Sequence, residues 1–245
     1  MTGGRRQYKP PGVRDNPGMN PQSPAYSRVL QTLNNAALAA GRPVPALLAV
    51  SKTQSADAVA GLAALGQRAF GENYVQEGIG KILALSDPKL EWHLIGHLQS
   101  NKCREAAEHF DWVQTIDRPK LIEALDRHRP PARGPLDVLV QVNIDDEASK
   151  SGCAPADVLP LAERIALAPR LRLRGLMSIG APHPDFERRR ATFRRMRELF
   201  DGLRERFPQA DTLSMGMSED FALAIEEGAT MVRVGSALFG SRPTR

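Results

Sequence analysis

The sequence predicts an α/β fold: a single (β/α)8 barrel of the TIM type, preceded by an N-terminal helix, in a chain of 245 residues. Three observations predict it. Eight short, apolar, strand-like runs are spread along the chain. Each is joined to the next by a segment long enough for a helix, as parallel strands require. Eight such units in about 200 residues match a closed barrel, and no linker divides them. A doubly wound open sheet is the alternative that the same alternation allows.

Residues 1–23 carry Pro10, Pro11, Pro17 and Pro21 with several glycines and no apolar period, so they read as a disordered tail. The barrel domain is expected over 24–245. From Pro24, Tyr26, Val29, Leu30, Leu33 and Ala37 recur at helical spacing, and Gly41 and Pro43 supply a stop. The expected strands follow at Ala46–Ser51, Arg68–Gly71, Glu91–Ile95, Trp112–Ile116, Val138–Ile144, Leu173–Ile179, Thr212–Met215 and Met231–Val234. Between them, Val75, Ile79, Ile82 and Leu83 mark one helical face, and Val158, Leu161, Ala162 and Ile165 another. A strongly basic helix has Phe193, Met196, Leu199, Phe200, Leu203 and Phe207 on its inner side, which leaves its arginines on the outer one.

Apolar residues make up 42% of the chain, enough to build a core, yet the longest apolar runs fall far short of the ~20 residues that cross a bilayer. Two cysteines, Cys103 and Cys153, cannot build a disulfide scaffold or a four-cysteine zinc site. With no apolar leader stretch, the expectation is a reduced, cytoplasmic protein without a membrane partner. The net charge of +5 raises the question of nucleic acid. Its basic excess lies in the tail and in the helix over 186–207, where eight arginines face four acidic residues. Neither block is interleaved with stacking aromatics, so a solvated helix face is the expectation and nucleic acid is not an expected partner.

In such a barrel the site lies at the C-terminal ends of the strands. Lys52 ends the first strand, where an apolar wall favours a neutral amine able to attack an aldehyde. Its alternative is a snorkelling side chain with its ammonium in water. The last two strands run into small-residue turns, Ser214-Met215-Gly216 and Gly235-Ser236, suited to a phosphate on backbone N–H groups. The first leads to a helix expected to begin near Ser218, and Ser218 could simply cap it. Arg233, two residues before Gly235, either points into the barrel mouth or pairs with a carboxylate such as Glu72. His93 and His97 straddle a strand end and a glycine, which fits a hydrogen-bonded rim histidine better than a metal pair; no metal is expected.

Several blocks then carry a resemblance: LLAVSKT around Lys52, FGENYVQE at 70–77, WHLIGHLQSNK at 92–102, VLVQVNI followed by KSG within 138–152, GLMSI at 175–179, and LSMGMSEDFALAIEEG leading to MVRVGSALFG. With these blocks in this order, residues 24–242 resemble the pyridoxal 5′-phosphate homeostasis proteins, whose barrel is similar to the N-terminal domain of alanine racemase. The resemblance implies pyridoxal 5′-phosphate as cofactor, with Lys52 as the Schiff-base lysine. It places the phosphate cup at Ser214, Met215, Gly216, Gly235 and Ser236, Arg233 at the pyridine nitrogen, and Asn73 and His93 at pocket positions. His97 receives no role.

An arginine at the ring nitrogen leaves the ring neutral and a weak electron sink. Racemases with this arrangement use two acid/base residues, one supplied by a second domain and a partner subunit. Here the chain stops soon after the eighth strand, and Tyr74 is the only tyrosine expected near the rim. The expectation is therefore a cofactor carrier, buffer or regulator with little or no catalysis. It would affect amino-acid and keto-acid balance, act as a monomer rather than a dimer, and have apo pyridoxal-phosphate enzymes as candidate partners. The alternative is a pyridoxal-phosphate-dependent amino-acid racemase. No catalytic residue is assigned.

Overall fold

The computed structural model describes residues 20, 22–145, 151–180 and 183–240. Most of the tail expected over 1–23 lies outside these residues, as do Lys150 of the KSG block and the last five positions. Eight strands form one closed, all-parallel barrel in chain order. They are β1 (Ala46–Val50), β2 (Ala69–Glu72), β3 (Glu91–Leu94), β4 (Trp112–Ile116), β5 (Leu136–Val142), β6 (Leu171–Ser178), β7 (Thr212–Ser214) and β8 (Met231–Val234). Pairing of β8 back onto β1, Ala46 opposite Met231 through Ala49 opposite Val234, closes the ring and rules out the open sheet. The helices are α1 (Ser23–Ala39), α2 (Ala56–Ala64), α3 (Val75–Leu85), α4 (Cys103–His109), α5 (Pro119–His128), α6 (Val158–Ala166), α7 (Phe186–Arg206), α8 (Phe221–Glu226) and α9 (Ser236–Phe239).

The strands sit where apolar runs placed them, with shifted ends. β5 begins two residues earlier than expected, at Leu136, and stops at Val142. β6 also starts two residues early, and β7 ends at Ser214, so Met215 lies beyond it. Gly175 permits the β6–β7 contact: its φ is +143°, and a Cβ there would lie 1.9 Å from the Thr212 carbonyl oxygen.

Helix α1 buries Val29, Leu33 and Ala37, the expected face, and Asn20 and Gln22 just before it dock on α2. Asn20 Nδ2 donates to the Gly61 carbonyl at 2.6 Å and Gln22 Nε2 to that of Ala58 at 3.1 Å.

Helix α3 differs from its expected face. Leu83 is 62% exposed, whereas Val75, Gly78 and Lys81 form the buried line. Gly78 is there because Phe110 presses on it; a Cβ would meet the ring at 2.4 Å. Lys81 is inside because two carboxylates and a carbonyl await it, as described below.

Helix α7 buries Phe193, Met196, Phe200 and Leu203 as its pattern required. Several outer arginines are tied into ion pairs: Arg190 to Glu226 and Glu227, Arg194 to Glu227, Arg197 to Asp201 and Arg206 to Glu163.

The helix after β7 begins at Phe221, not near Ser218. Asp220 is its N-cap residue, and its Oδ1 accepts from the Met217 N–H at 2.7 Å, bracing a turn over 217–220. Among the described residues, no helix is long and apolar enough to cross a membrane, and no three His, Cys, Asp or Glu side chains cluster as a metal site.

Candidate functional site

A cavity of about 750 Å3 opens at the C-terminal ends of the strands. The segments after β1, β2, β3, β6, β7 and β8 supply its wall: Lys52, Asn73, Ile95, Ile179, the turn Met217–Asp220, Gly235 and Ser236, with Arg233 from β8 itself. A parallel barrel offers its side chains and free backbone groups to a ligand at this end.

Lys52 follows β1 and is set by its neighbours. Thr53 has φ +65°, a left-handed conformation uncommon for a branched residue. Its N–H donates to Glu77 Oε1 at 2.5 Å, which holds that turn. Lys81 braces the same carboxylate from below. Its Nζ donates to Glu77 Oε1 at 2.8 Å, to Glu72 Oε1 at 2.7 Å and to the Ser51 carbonyl at 2.6 Å. The Ser51 hydroxyl also donates to Glu72 Oε1, at 2.5 Å. Residues on both sides of Lys52 are therefore tied to one buried cation. Burial raises the Glu72 carboxyl above its ordinary value, against the lowering effect of Lys81 and Ser51.

Arg233 is 4% exposed. Its Nη1 donates to Ser214 Oγ at 2.8 Å and its Nη2 to the Ser178 carbonyl at 2.7 Å. The alternative partner considered for it, Glu72, is committed to Lys81. Burial pulls Arg233 down to about 10, with the Asp220 carboxylate opposing, so it remains a cation at neutral pH. Asn73 presents a buried Oδ1 without a protein partner. A buried acceptor left open on a cavity wall is a position for a ligand donor.

The remaining candidates divide into those on the wall and those beneath it. Gly235 and Ser236 line the cavity, and a Cβ on Gly235 would sit 3.2 Å from the Val50 carbonyl. Ser214 and Met215 are fully buried. The Ser214 hydroxyl is committed, accepting from Arg233 and donating to Gln114 Oε1 at 2.8 Å. Gly216 has φ +87°, and its carbonyl accepts the Arg233 N–H at 3.1 Å. The expected cup serine of the first turn thus lies under the arginine, while Met217 and Ser218, further along the chain, reach the wall.

His93 is not at the rim. It is fully buried inside the barrel, stacked on Trp112 with ring centroids 4.9 Å apart. Its Nδ1 accepts from Gln114 Nε2 at 2.9 Å and its Nε2 meets Glu91 Oε1 at 2.7 Å. His97 is exposed and bonds to Ser151 Oγ at 3.2 Å. Tyr74 is 64% exposed and is not part of the cavity wall.

Sequence reasoning missed Gln114, Lys81 and Arg189, the last of which lines the cavity. Gln114 was detectable as a lone amide in an apolar strand, two residues from Trp112 and so on the same face. Lys81 left no signal, because a lysine on an amphipathic helix reads as solvent-facing. Burial pushes the thiol of Cys103 up to about 11 and that of Cys153 up to about 12, so neither offers a thiolate.

The sequence family described as "Alanine racemase, N-terminal domain" matches residues 27–243. A pyridoxal phosphate homeostasis protein of Escherichia coli K12 is 49% identical over 229 residues, covering 91% of this chain and 98% of that protein. One from Pasteurella multocida is 50% identical over 222 residues, covering 88% and 95%. The chain belongs to the pyridoxal phosphate homeostasis protein family. Among solved structures, PipY of Synechococcus elongatus with pyridoxal phosphate bound superposes with a TM-score of 0.78 at 37% identity, covering 89% of this chain and all of that one. Alanine racemase from Corynebacterium glutamicum, 18% identical with a TM-score of 0.68, shares the fold over 62% of its own length.

Proposed function

We propose that this protein binds pyridoxal 5′-phosphate through a Schiff base on Lys52 and acts in cofactor homeostasis as a carrier or buffer with little or no catalysis. The observation that carries this reading is the convergence of Lys52, Asn73, Arg233 and the Gly235-Ser236 turn on one cavity at the catalytic end of the barrel. These residues fit the group. A primary amine sits on a braced turn, the Gly235-Ser236 turn offers backbone N–H groups to a phosphate, an open amide acceptor awaits a donor, and the Arg233 cation lines the wall. The cofactor-bound relative of the same fold supports the assignment.

When bound, the cofactor supplies an aldehyde for the lysine and a ring able to delocalise charge. The chain's own residues do the rest. Lys52 Nζ would hold the aldehyde carbon. Backbone N–H groups of Gly235 and Ser236, with Ser218, hold the phosphate. The Ser214 hydroxyl and the Gly216 carbonyl place Arg233 from beneath. Arg233 is a donor only, so it would offer a hydrogen bond to the pyridine nitrogen and oppose its protonation. A weak electron sink, with no tyrosine on the wall among the described residues, suits retention of the cofactor better than racemisation. Apo enzymes that need the cofactor are the expected recipients, and the chain acts in the cytoplasm as a monomer.

The test is the visible spectrum of the purified protein before and after borohydride, with peptide mapping of the reduced adduct. A yellow protein with the adduct on Lys52, and D- and L-alanine left unconverted, supports the reading. An adduct on another lysine sinks the Schiff-base assignment. Alanine racemisation at ordinary enzyme rates, of order 1–1000 per second, replaces the carrier with an enzyme.

A further inference from the structure

The barrel interior of a parallel α/β barrel is usually filled with branched apolar side chains. Here a string of polar groups runs through it. Arg233 Nη1 donates to Ser214 Oγ at 2.8 Å, Ser214 Oγ to Gln114 Oε1 at 2.8 Å, and Gln114 Nε2 to His93 Nδ1 at 2.9 Å; His93 Nε2 meets Glu91 Oε1 at 2.7 Å. Arg233, Ser214, Gln114 and His93 are all nine-tenths buried or more. Glu91, at the first residue of β3, is 46% exposed and lies at the opposite end of the barrel from the cavity.

The chemistry of the two ends fixes every proton between them. Arginine can only donate and a carboxylate can only accept. Ser214 Oγ receives the arginine N–H, so its own proton goes to the Gln114 oxygen. That sets the amide with its NH2 toward His93. His93 Nδ1 must then be the acceptor, so Nε2 carries the ring proton and gives it to Glu91. All four hydrogen bonds point the same way, from a buried cation to a carboxylate in contact with solvent. Glu91 is held below the ordinary carboxylate range, first by its hydrogen bond with His93, against desolvation, and with help from Trp112 and Arg174.

We infer that Glu91 is a positioning residue for Arg233, acting across the barrel through the His93 tautomer, the Gln114 amide and the Ser214 hydroxyl. The inference rests on the cofactor reading for what Arg233 faces, and not for the string itself. With Glu91 in place, one orientation of each link is favoured. Without it, the His93 ring proton has no fixed acceptor, the Gln114 amide can turn over, and the Ser214 hydroxyl proton loses its fixed acceptor, so the lone pair it turns to the arginine is no longer held in one direction. The cavity end loses order although nothing has touched it.

The test reads the two ends separately on the full chain labelled with 15N-histidine. Long-range proton–nitrogen correlation reports which ring nitrogen carries the proton, and a His93→Gln variant identifies the His93 signals among the five histidines. In the protein free of cofactor, His93 should carry its proton on Nε2 alone. Glu91→Ala should give averaged tautomer signals, and Glu91→Gln, which keeps an oxygen acceptor, should restore the original pattern. Ser214→Ala, which makes no contact with His93, should also disturb its Nδ1 signal. Pyridoxal phosphate binding should weaken about three- to tenfold in Glu91→Ala, the scale of one hydrogen bond, and recover in Glu91→Gln.

His93 protonated on Nδ1, or unchanged His93 signals in both Glu91→Ala and Ser214→Ala, overturns the string. Disturbed His93 signals with unchanged cofactor affinity in Glu91→Ala overturn its action on Arg233. If the wild type takes up no pyridoxal phosphate, the cofactor reading and the assigned role for Arg233 both fall; the histidine signals still decide whether the string exists.

Discussion

Replacing Lys81 by Met tests whether the turn carrying Lys52 is held by a buried cation. The Lys81 side chain is 7% exposed, and the Glu72 carboxylate it meets is fully buried. Met keeps the length and apolar character of the stem and removes only the ammonium. Glu72 Oε1 then retains the Ser51 hydroxyl, while Oε2 already lacks a protein partner. Removing one partner of a buried pair typically costs about 3–5 kcal/mol, because the remaining charge is stranded. At about 2–4 °C per kcal/mol for a chain of this size, the melting temperature should fall by about 10 °C. The loss should depend on pH. Burial raises the folded-state pKa of Glu72, so its protonated form favours the folded state. That stability is present below the ordinary carboxylate pKa and is lost as the pH rises through the raised value. Without Lys81 the value rises further, so the deficit of Lys81→Met is greatest at neutral pH and shrinks toward pH ~4. Adding Glu72→Gln should recover part of it at neutral pH. Urea unfolding of the three proteins at two pH values measures all of this. A deficit under about 1 kcal/mol, or one that is equal at both pH values, refutes the reasoning.

Other perturbations follow from the same geometry. Lys52→Ala should abolish the visible band and the borohydride-reducible adduct, read by absorbance and peptide mapping. Gly96→Ala should destabilise the protein by about 1–3 kcal/mol in urea unfolding, since the new Cβ would meet the Asn73 carbonyl oxygen at 2.0 Å, and should weaken cofactor binding because Asn73 must move. At Gly235 the corresponding distance to Val50 is 3.2 Å, so Gly235→Ala should bind cofactor almost as the wild type does, and Gly235→Val should not, by spectroscopic titration. Ser218→Ala should weaken cofactor retention about tenfold or more, the worth of one hydrogen bond to a charged group.

Closure of the barrel could be anticipated because alternation of strand and helix is a short-range property. Runs such as Ala46–Val50 and Met231–Val234 identify themselves by composition, and intervening helices force them parallel. Strand ends were less legible. Where β7 stops depends on its pairing with β6 and β8, and Ser214 lies in the interior because its hydroxyl is held by Arg233 and Gln114, which come from other strands. The placement of Leu83 and Lys81 on α3 failed for a related reason. Helical periodicity scores a lysine as polar wherever it stands, and nothing local announces that Glu72 and Ser51 from other elements will meet it.

By itself the sequence determined the fold class and picked out several residues that line the cavity at the C-terminal ends of the strands. Lys52, Gly235 and Ser236 follow strand termini, and chain position alone sends such residues to the mouth. Arg233 was selected by strand period. The tertiary structure decided which polar groups share protons. The line from Arg233 through Ser214, Gln114 and His93 to Glu91 draws on β8, β7, β4 and β3, and its Ser214–Gln114 link joins residues 100 positions apart in the chain. Hydrogen bonds of this kind depend on distances of a few ångströms between groups that only barrel closure brings together, and no pattern along the chain encodes them.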